Sequence, residues 1–81
     1  MKEDLDKRDD MSYLQTAGRA LSILKMFRQE NTLSLPAIAS GLGVGKTIAY
    51  RLVHTLMTEG FLVQDPLTKQ YSLGEQVLLL G

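Results

Sequence analysis

The stretch Leu35–His54, LPAIASGLGVGKTIAYRLVH, constrains this chain more than any other. Its small and apolar residues fall at Ile38, Ala39, Leu42, Val44, Ala49 and Leu52. Those spacings fit the inward-facing positions of two helices joined by a tight turn, a helix-turn-helix unit. Ile38 and Leu42 lie one turn apart on the first helix, and Ala39 is small where the axes approach. Gly43 stands where the turn needs positive φ, and Val44 fills the space between the helices. The outer face of the second helix then carries Lys46, Thr47, Tyr50, Arg51 and His54. A helix with an apolar inner stripe and this outer face suits a DNA major groove.

The flanking sequence extends the unit. A first helix is expected from Gln15–Thr16 to about Gln29, with Thr16 as N-cap. Ala17, Ala20, Leu21, Leu24 and Phe27 form its buried stripe, which Ile23 and Met26 either widen or supplement with a second contact surface. Ser34 is expected to cap a second helix over Leu35–Ser40, with Pro36 in its first turn, where the missing N–H costs nothing. Gly41–Val44 make the turn. A third helix over Gly45–Thr58 buries Ile48, Ala49, Leu52, Val53 and Leu56 and ends at Gly60 in an αL cap. The period then changes. Phe61-Leu62-Val63, the turn chemistry of Asp65 to Lys69, and the alternation of Tyr71 and Leu73 with Gln70 and Ser72 describe a β-hairpin. Glu75–Leu80 restart a helix. The expected fold is therefore mainly α with a small β-hairpin: a winged helix-turn-helix of three core helices, a wing and the start of a linker helix. Residues 1–11 form a charged arm, 12–74 the folded domain, and 75–81 the linker start. Val77 to Leu80 lack partner surface within the chain, so either the natural protein continues or a second copy covers them.

Length allows one small domain. Nine basic residues balance nine acidic ones, but unevenly. Residues 1–10 hold Glu3, Asp4, Asp6, Asp9 and Asp10 against Lys2, Lys7 and Arg8, net −2. Between Thr16 and Thr58, Arg19, Lys25, Arg28, Lys46 and Arg51 face Glu30 alone, net +4. The folded part is basic, as an anionic partner requires. The absence of cysteine excludes disulfides, thiolate zinc sites and thiol catalysis. His54 is the one imidazole and has no carboxylate near it on its helix, so no catalytic constellation and no metal cluster is available. No cofactor is implied and no enzyme is expected. With no signal peptide and no membrane-length apolar run, the expected location is cytoplasmic.

Gly-Lys-Thr at 45–47 invites a phosphate-loop reading, which fails on spacing. The glycine required five positions earlier is Ser40, and a helical pattern precedes it instead of a buried strand. On the third helix, Lys46 and Thr47 are placed for base edges and Arg51 for base or phosphate. His54 is either a solvated surface residue or a DNA contact. Arg19 and Lys25 are phosphate contacts or solvated charges. Lys69 and Gln70 lie near the wing tip, within reach of minor groove or phosphate. The alternative is a winged-helix protein-interaction module that uses the Ile23/Met26 face and the C-terminal leucines.

Several segments are similar to one family. Thr16-Ala17-Gly18-Arg19-Ala20-Leu21-Ser22-Ile23-Leu24 resembles the opening helix of IclR-type bacterial transcription regulators. Ile48-Ala49-Tyr50-Arg51-Leu52-Val53-His54-Thr55-Leu56 and Glu59-Gly60-Phe61-Leu62-Val63 resemble its recognition helix and the approach to its wing. Tyr71-Ser72-Leu73-Gly74 and Leu79-Leu80-Gly81 match its wing exit and linker. The resemblance covers about residues 12–81. It implies sequence-specific binding of double-stranded DNA for transcriptional regulation, as a dimer on a palindromic operator, under a small-molecule effector domain that is absent here. It also implies DNA contacts at Lys46, Thr47, Tyr50 and Arg51, with Arg19 on the backbone. Thr47-Ile48 stands where the family usually opens its recognition helix with Ser-Thr, and Gly45 replaces the usual proline or polar residue before it.

Overall fold

The computed structural model describes residues 12–81, so the N-terminal arm expected over 1–11 lies outside the described residues. Four helices and one hairpin follow in order: α1 Gln15–Met26, α2 Leu35–Leu42, α3 Lys46–Thr58, β1 Leu62–Gln64, β2 Tyr71–Leu73 and α4 Glu75–Leu80. The winged helix-turn-helix expected from the spacing is the architecture observed.

The N-cap of α1 lies two residues earlier than expected. The Gly18 N–H donates to the Leu14 carbonyl at 2.9 Å, which makes Leu14 the N-cap and places Thr16 inside the first turn. The regular helix also ends sooner, at Met26. Phe27 and Arg28 donate to the carbonyls three residues back, Leu24 and Lys25, tightening the chain and turning Phe27 into the core. The buried stripe is rotated from the expected one. Ile23 is fully buried, with Ala20 and Leu24 packed beside it, whereas Leu21 is 60% exposed and Ala17 faces outward.

Ser34 caps α2 as expected, its Oγ accepting from the Ala37 N–H at 3.2 Å. α2 runs two residues further than expected, to Leu42, and only Gly43 to Gly45 connect it to α3. Gly43 holds φ 73°, a conformation that costs a residue with a Cβ about 1 kcal/mol or more. Its N–H donates to Ser40 and that of Val44 to Ala39, which satisfies the carbonyls left over at the helix end. α3 closes in the same way. The Gly60 N–H donates to Met57 and that of Phe61 to Leu56, at 3.0 and 2.8 Å, with Gly60 at φ 86°.

The core is the contact zone of α1, α2 and α3, closed underneath by the hairpin. Ile23, Phe27, Ile38, Ala39, Ala49, Leu52, Val53 and Leu56 meet Leu62 and Tyr71 there. Ile48, expected in that core, is 42% exposed instead. β1 and β2 pair antiparallel with Leu62 opposite Leu73 and Gln64 opposite Tyr71. Tyr71 also exchanges backbone bonds with Leu33, at 3.0 and 2.8 Å, which fastens the wing to the segment between α1 and α2. No helix among the described residues is long and apolar enough to cross a membrane.

Candidate nucleic-acid interface

α3 buries Ala49, Leu52, Val53 and Leu56, so helical periodicity turns Thr47, Arg51 and His54 directly away from the core. All five residues expected on the outer face, Lys46, Thr47, Tyr50, Arg51 and His54, are exposed. Lys46 is the first residue of α3, and no acidic side chain occupies that first turn. The positive end of the helix dipole and a lysine therefore share one place, which costs stability in the free protein and favours an anion beside it.

The exposed surface divides into two flanks. Tyr50 stacks on His54 with ring centroids 5.9 Å apart and planes inclined by 22°, which gives a firm aromatic ridge. Burial first, and the Tyr50 phenol second, push the Tyr71 phenol of the wing above its ordinary value. The other flank turns toward α1. Arg51, Ile48, Leu52 and Thr55 form one wall of an open cleft of about 300 Å³, and Thr16 and Arg19 form the opposite wall. Tyr50 and Arg51, neighbours in sequence, thus serve opposite sides of α3, and Arg19 and Arg51 are brought to one cleft.

Lys69 stands apart from these groups, at the wing tip. It holds φ 65°, the only positive value among the described non-glycine residues. The loop around it is tied down by side chains. Asp65 Oδ1 accepts from the Leu67 and Thr68 N–H groups at 2.7 and 3.3 Å, and Thr68 Oγ1 accepts from the Gln70 N–H at 3.2 Å. Gln64 Nε2 donates to the Lys69 carbonyl at 3.1 Å. Lys69 is consequently presented on a fixed turn. The sequence reasoning missed Ile48, Thr16 and Thr55 as surface-lining residues. Periodicity alone could have flagged Ile48 and Thr55, which fall on the edge of the α3 apolar stripe.

Residues 16–66 match the family model of the IclR helix-turn-helix domain. The glycerol operon regulatory protein of Streptomyces coelicolor (strain ATCC BAA-471 / A3(2) / M145) is 39% identical over 69 residues, 84% of this chain and 27% of that protein. The HTH-type transcriptional regulator XynR of Escherichia coli (strain K12) is 32% identical over 72 residues, 88% of this chain and 29% of that protein. Among solved structures, an IclR family transcriptional regulator from Brucella abortus superimposes with a TM-score of 0.81 at 37% identity, covering 93% of this chain and 29% of that one. The chain thus spans less than a third of the length of these relatives.

Proposed function

Since the chain belongs to the IclR family of helix-turn-helix regulators, we propose that α3 enters the DNA major groove and reads sequence there for transcriptional regulation. The observation that carries this reading is the exposed side of α3, where Lys46, Thr47, Tyr50, Arg51 and His54 stand without a carboxylate among them. Lys46 and Thr47 address base edges from the helix N-terminus, and the Tyr50–His54 ridge packs against the groove wall. Lys69 reaches backbone or minor groove from the wing tip. The domain occupies 12–74, and 75–81 begin a linker to an effector domain that binds a small molecule. Two copies act on a palindromic operator in the cytoplasm, in a protein that is not an enzyme. The protein-interaction alternative is not favoured, because the matched relatives are transcriptional regulators.

The test is a titration of labelled promoter fragments and random duplex at two salt concentrations. Binding that prefers particular fragments and weakens steeply with salt is expected. Binding that ignores salt, or is absent even at low salt, defeats the reading.

A further inference from the structure

We propose that the cleft between α1 and α3 is a clamp for one DNA phosphodiester, gripped by Arg19 from one wall and Arg51 from the other. The proposal rests on the DNA-binding reading above and narrows it at one residue, since Arg51, open to base or phosphate from the sequence, becomes a reader of backbone.

The chemistry of the lining points to this occupant. Two guanidinium groups border the cleft and no carboxylate lines it. Guanidinium forks match the paired oxygens of a phosphodiester better than any other cation in proteins. Thr16 and Thr55 add hydroxyls on opposite walls. Thr55 commits its hydroxyl hydrogen to the Arg51 carbonyl at 2.9 Å, so Thr16 is the hydroxyl left to donate to a phosphate oxygen, and the Thr55 oxygen can accept from a guanidinium N–H. Ile48 and Leu52 make the remaining surface apolar. A free inorganic anion would gain nothing from that surface, whereas a deoxyribose brings carbon-bound edges on both sides of its phosphate. The 42% exposure of Ile48 then has a purpose, since the sugar covers it in the complex.

Position supports the same occupant. The cleft is continuous with the outer face of α3 through Arg51. In a helix-turn-helix docked by its second helix, the first helix of the pair crosses the backbone that borders the groove; α1 packs against both helices of that pair and brings Arg19 to the cleft beside Arg51. Arg19 and Arg51 come from different elements, so a phosphate held between them fixes the tilt of α3 in the groove. Contacts of this kind set register and carry no sequence information.

The experiment measures affinity by fluorescence anisotropy across a salt series, for the wild-type chain and for Arg19→Ala, Arg51→Ala and the double variant. Two probes are used: random 30-base-pair duplex, and duplex enriched by the wild-type protein through selection in vitro. Circular dichroism checks that each variant is folded. Arg51→Ala is expected to weaken both duplexes by the same factor, leaving their affinity ratio unchanged. Because both arginines hold one phosphate, the double variant should lose less than the product of the single losses. The magnitude of the salt slope should fall by about 0.9 per bound protomer in total, not twice that. A methylphosphonate walked along the selected duplex should reveal one position that weakens the wild type and leaves the double variant indifferent.

An Arg51→Ala protein that loses its preference for selected over random duplex overturns the clamp and assigns Arg51 to base reading. Strictly additive losses with no shared methylphosphonate position overturn it as well. Either result leaves the DNA reading intact. A wild-type protein that binds neither duplex removes that reading, and the clamp with it.

Discussion

Lys69 shows how one residue can be held in an unfavourable backbone state by its neighbours. At φ 65° a side chain with a Cβ costs about 1–2 kcal/mol, and the Asp65 and Thr68 turn bonds hold it there. Lys69→Gly should therefore leave stability within about 1 kcal/mol of wild type, the relieved strain opposing the added freedom of the unfolded chain. The same variant should bind DNA more weakly, so urea melts and anisotropy titrations separate the two effects. Unchanged DNA affinity would remove Lys69 from the interface. Core positions give a sharper contrast. Ile23→Ala should cost about 2–5 kcal/mol, because the buried side chain leaves a cavity, whereas Leu21→Ala, at a largely exposed position, should stay within about 0.5 kcal/mol. Urea denaturation decides. This pair also marks what was legible from the pattern of α1. Helical spacing admits Leu21 or Ile23 as the centre of the stripe, and only the direction from which α2 and α3 pack selects between them. Tyr71 adds a pH dependence. Its folded pKa is raised, so the unfolded chain ionises first. The stabilising contribution is complete below the ordinary tyrosine value of about 10 and is lost as pH rises through the folded value. Urea melts between pH 8 and 11 should show this loss, and Tyr71→Phe should reduce it.

Between elements, backbone contacts decide more than side chains do. The hairpin is tied at its base to the segment before α2 through Leu33 and Tyr71, and α4 is tied to the end of α3. The Gly74 N–H donates to the Phe61 carbonyl at 2.8 Å, and the Gln76 N–H donates to that of Gly60 at 3.1 Å. A Cβ added at Gly74 would lie 2.5 Å from the Gly60 oxygen, a backbone atom that cannot step aside. Gly74→Ala should therefore displace α4 from α3, destabilising the fold by about 1–3 kcal/mol. Hydrogen exchange at the Gln76 amide should accelerate in that variant, and unchanged protection would refute the close approach. Such junctions were not legible in the sequence, because nothing in Tyr71-Ser72-Leu73-Gly74 reveals which backbone lies against it. The element types were legible, since capping at Ser34, the turn at Gly43 and the cap at Gly60 are local chemistry. Helix ends were less so. α2 absorbs Gly41 and Leu42 because closing at Gly43 satisfies its last carbonyls, a bonding preference that composition does not display. The outer face of α3 was read correctly as exposed, but which side of it borders α1 follows from where α1 packs.

Across the whole molecule, apolar side chains stand exposed at both ends of the described residues. Leu78, Leu79 and Leu80 remain 79%, 67% and 76% exposed, and Tyr13 and Leu14 at the start of α1 are 62% and 72% exposed. The proposed two-copy arrangement would place two α3 helices about 34–36 Å apart, one helical turn, in successive major grooves. If each protomer neutralises about three phosphates, log K should fall against log salt with a slope near −5 for the pair. One protomer alone would give about half that slope, so the salt dependence reports stoichiometry as well as contact. Half-site spacing provides the geometric check. Inserting about 5 base pairs between the half-sites of a selected palindrome would rotate one of them to the opposite face of the duplex, where a rigid pair cannot reach both. Affinity should then fall to that of a single half-site, and the slope should halve with it. A duplex so altered that kept both its affinity and its slope would mean that the protomers bind independently, through flexible attachment instead of a fixed two-fold arrangement.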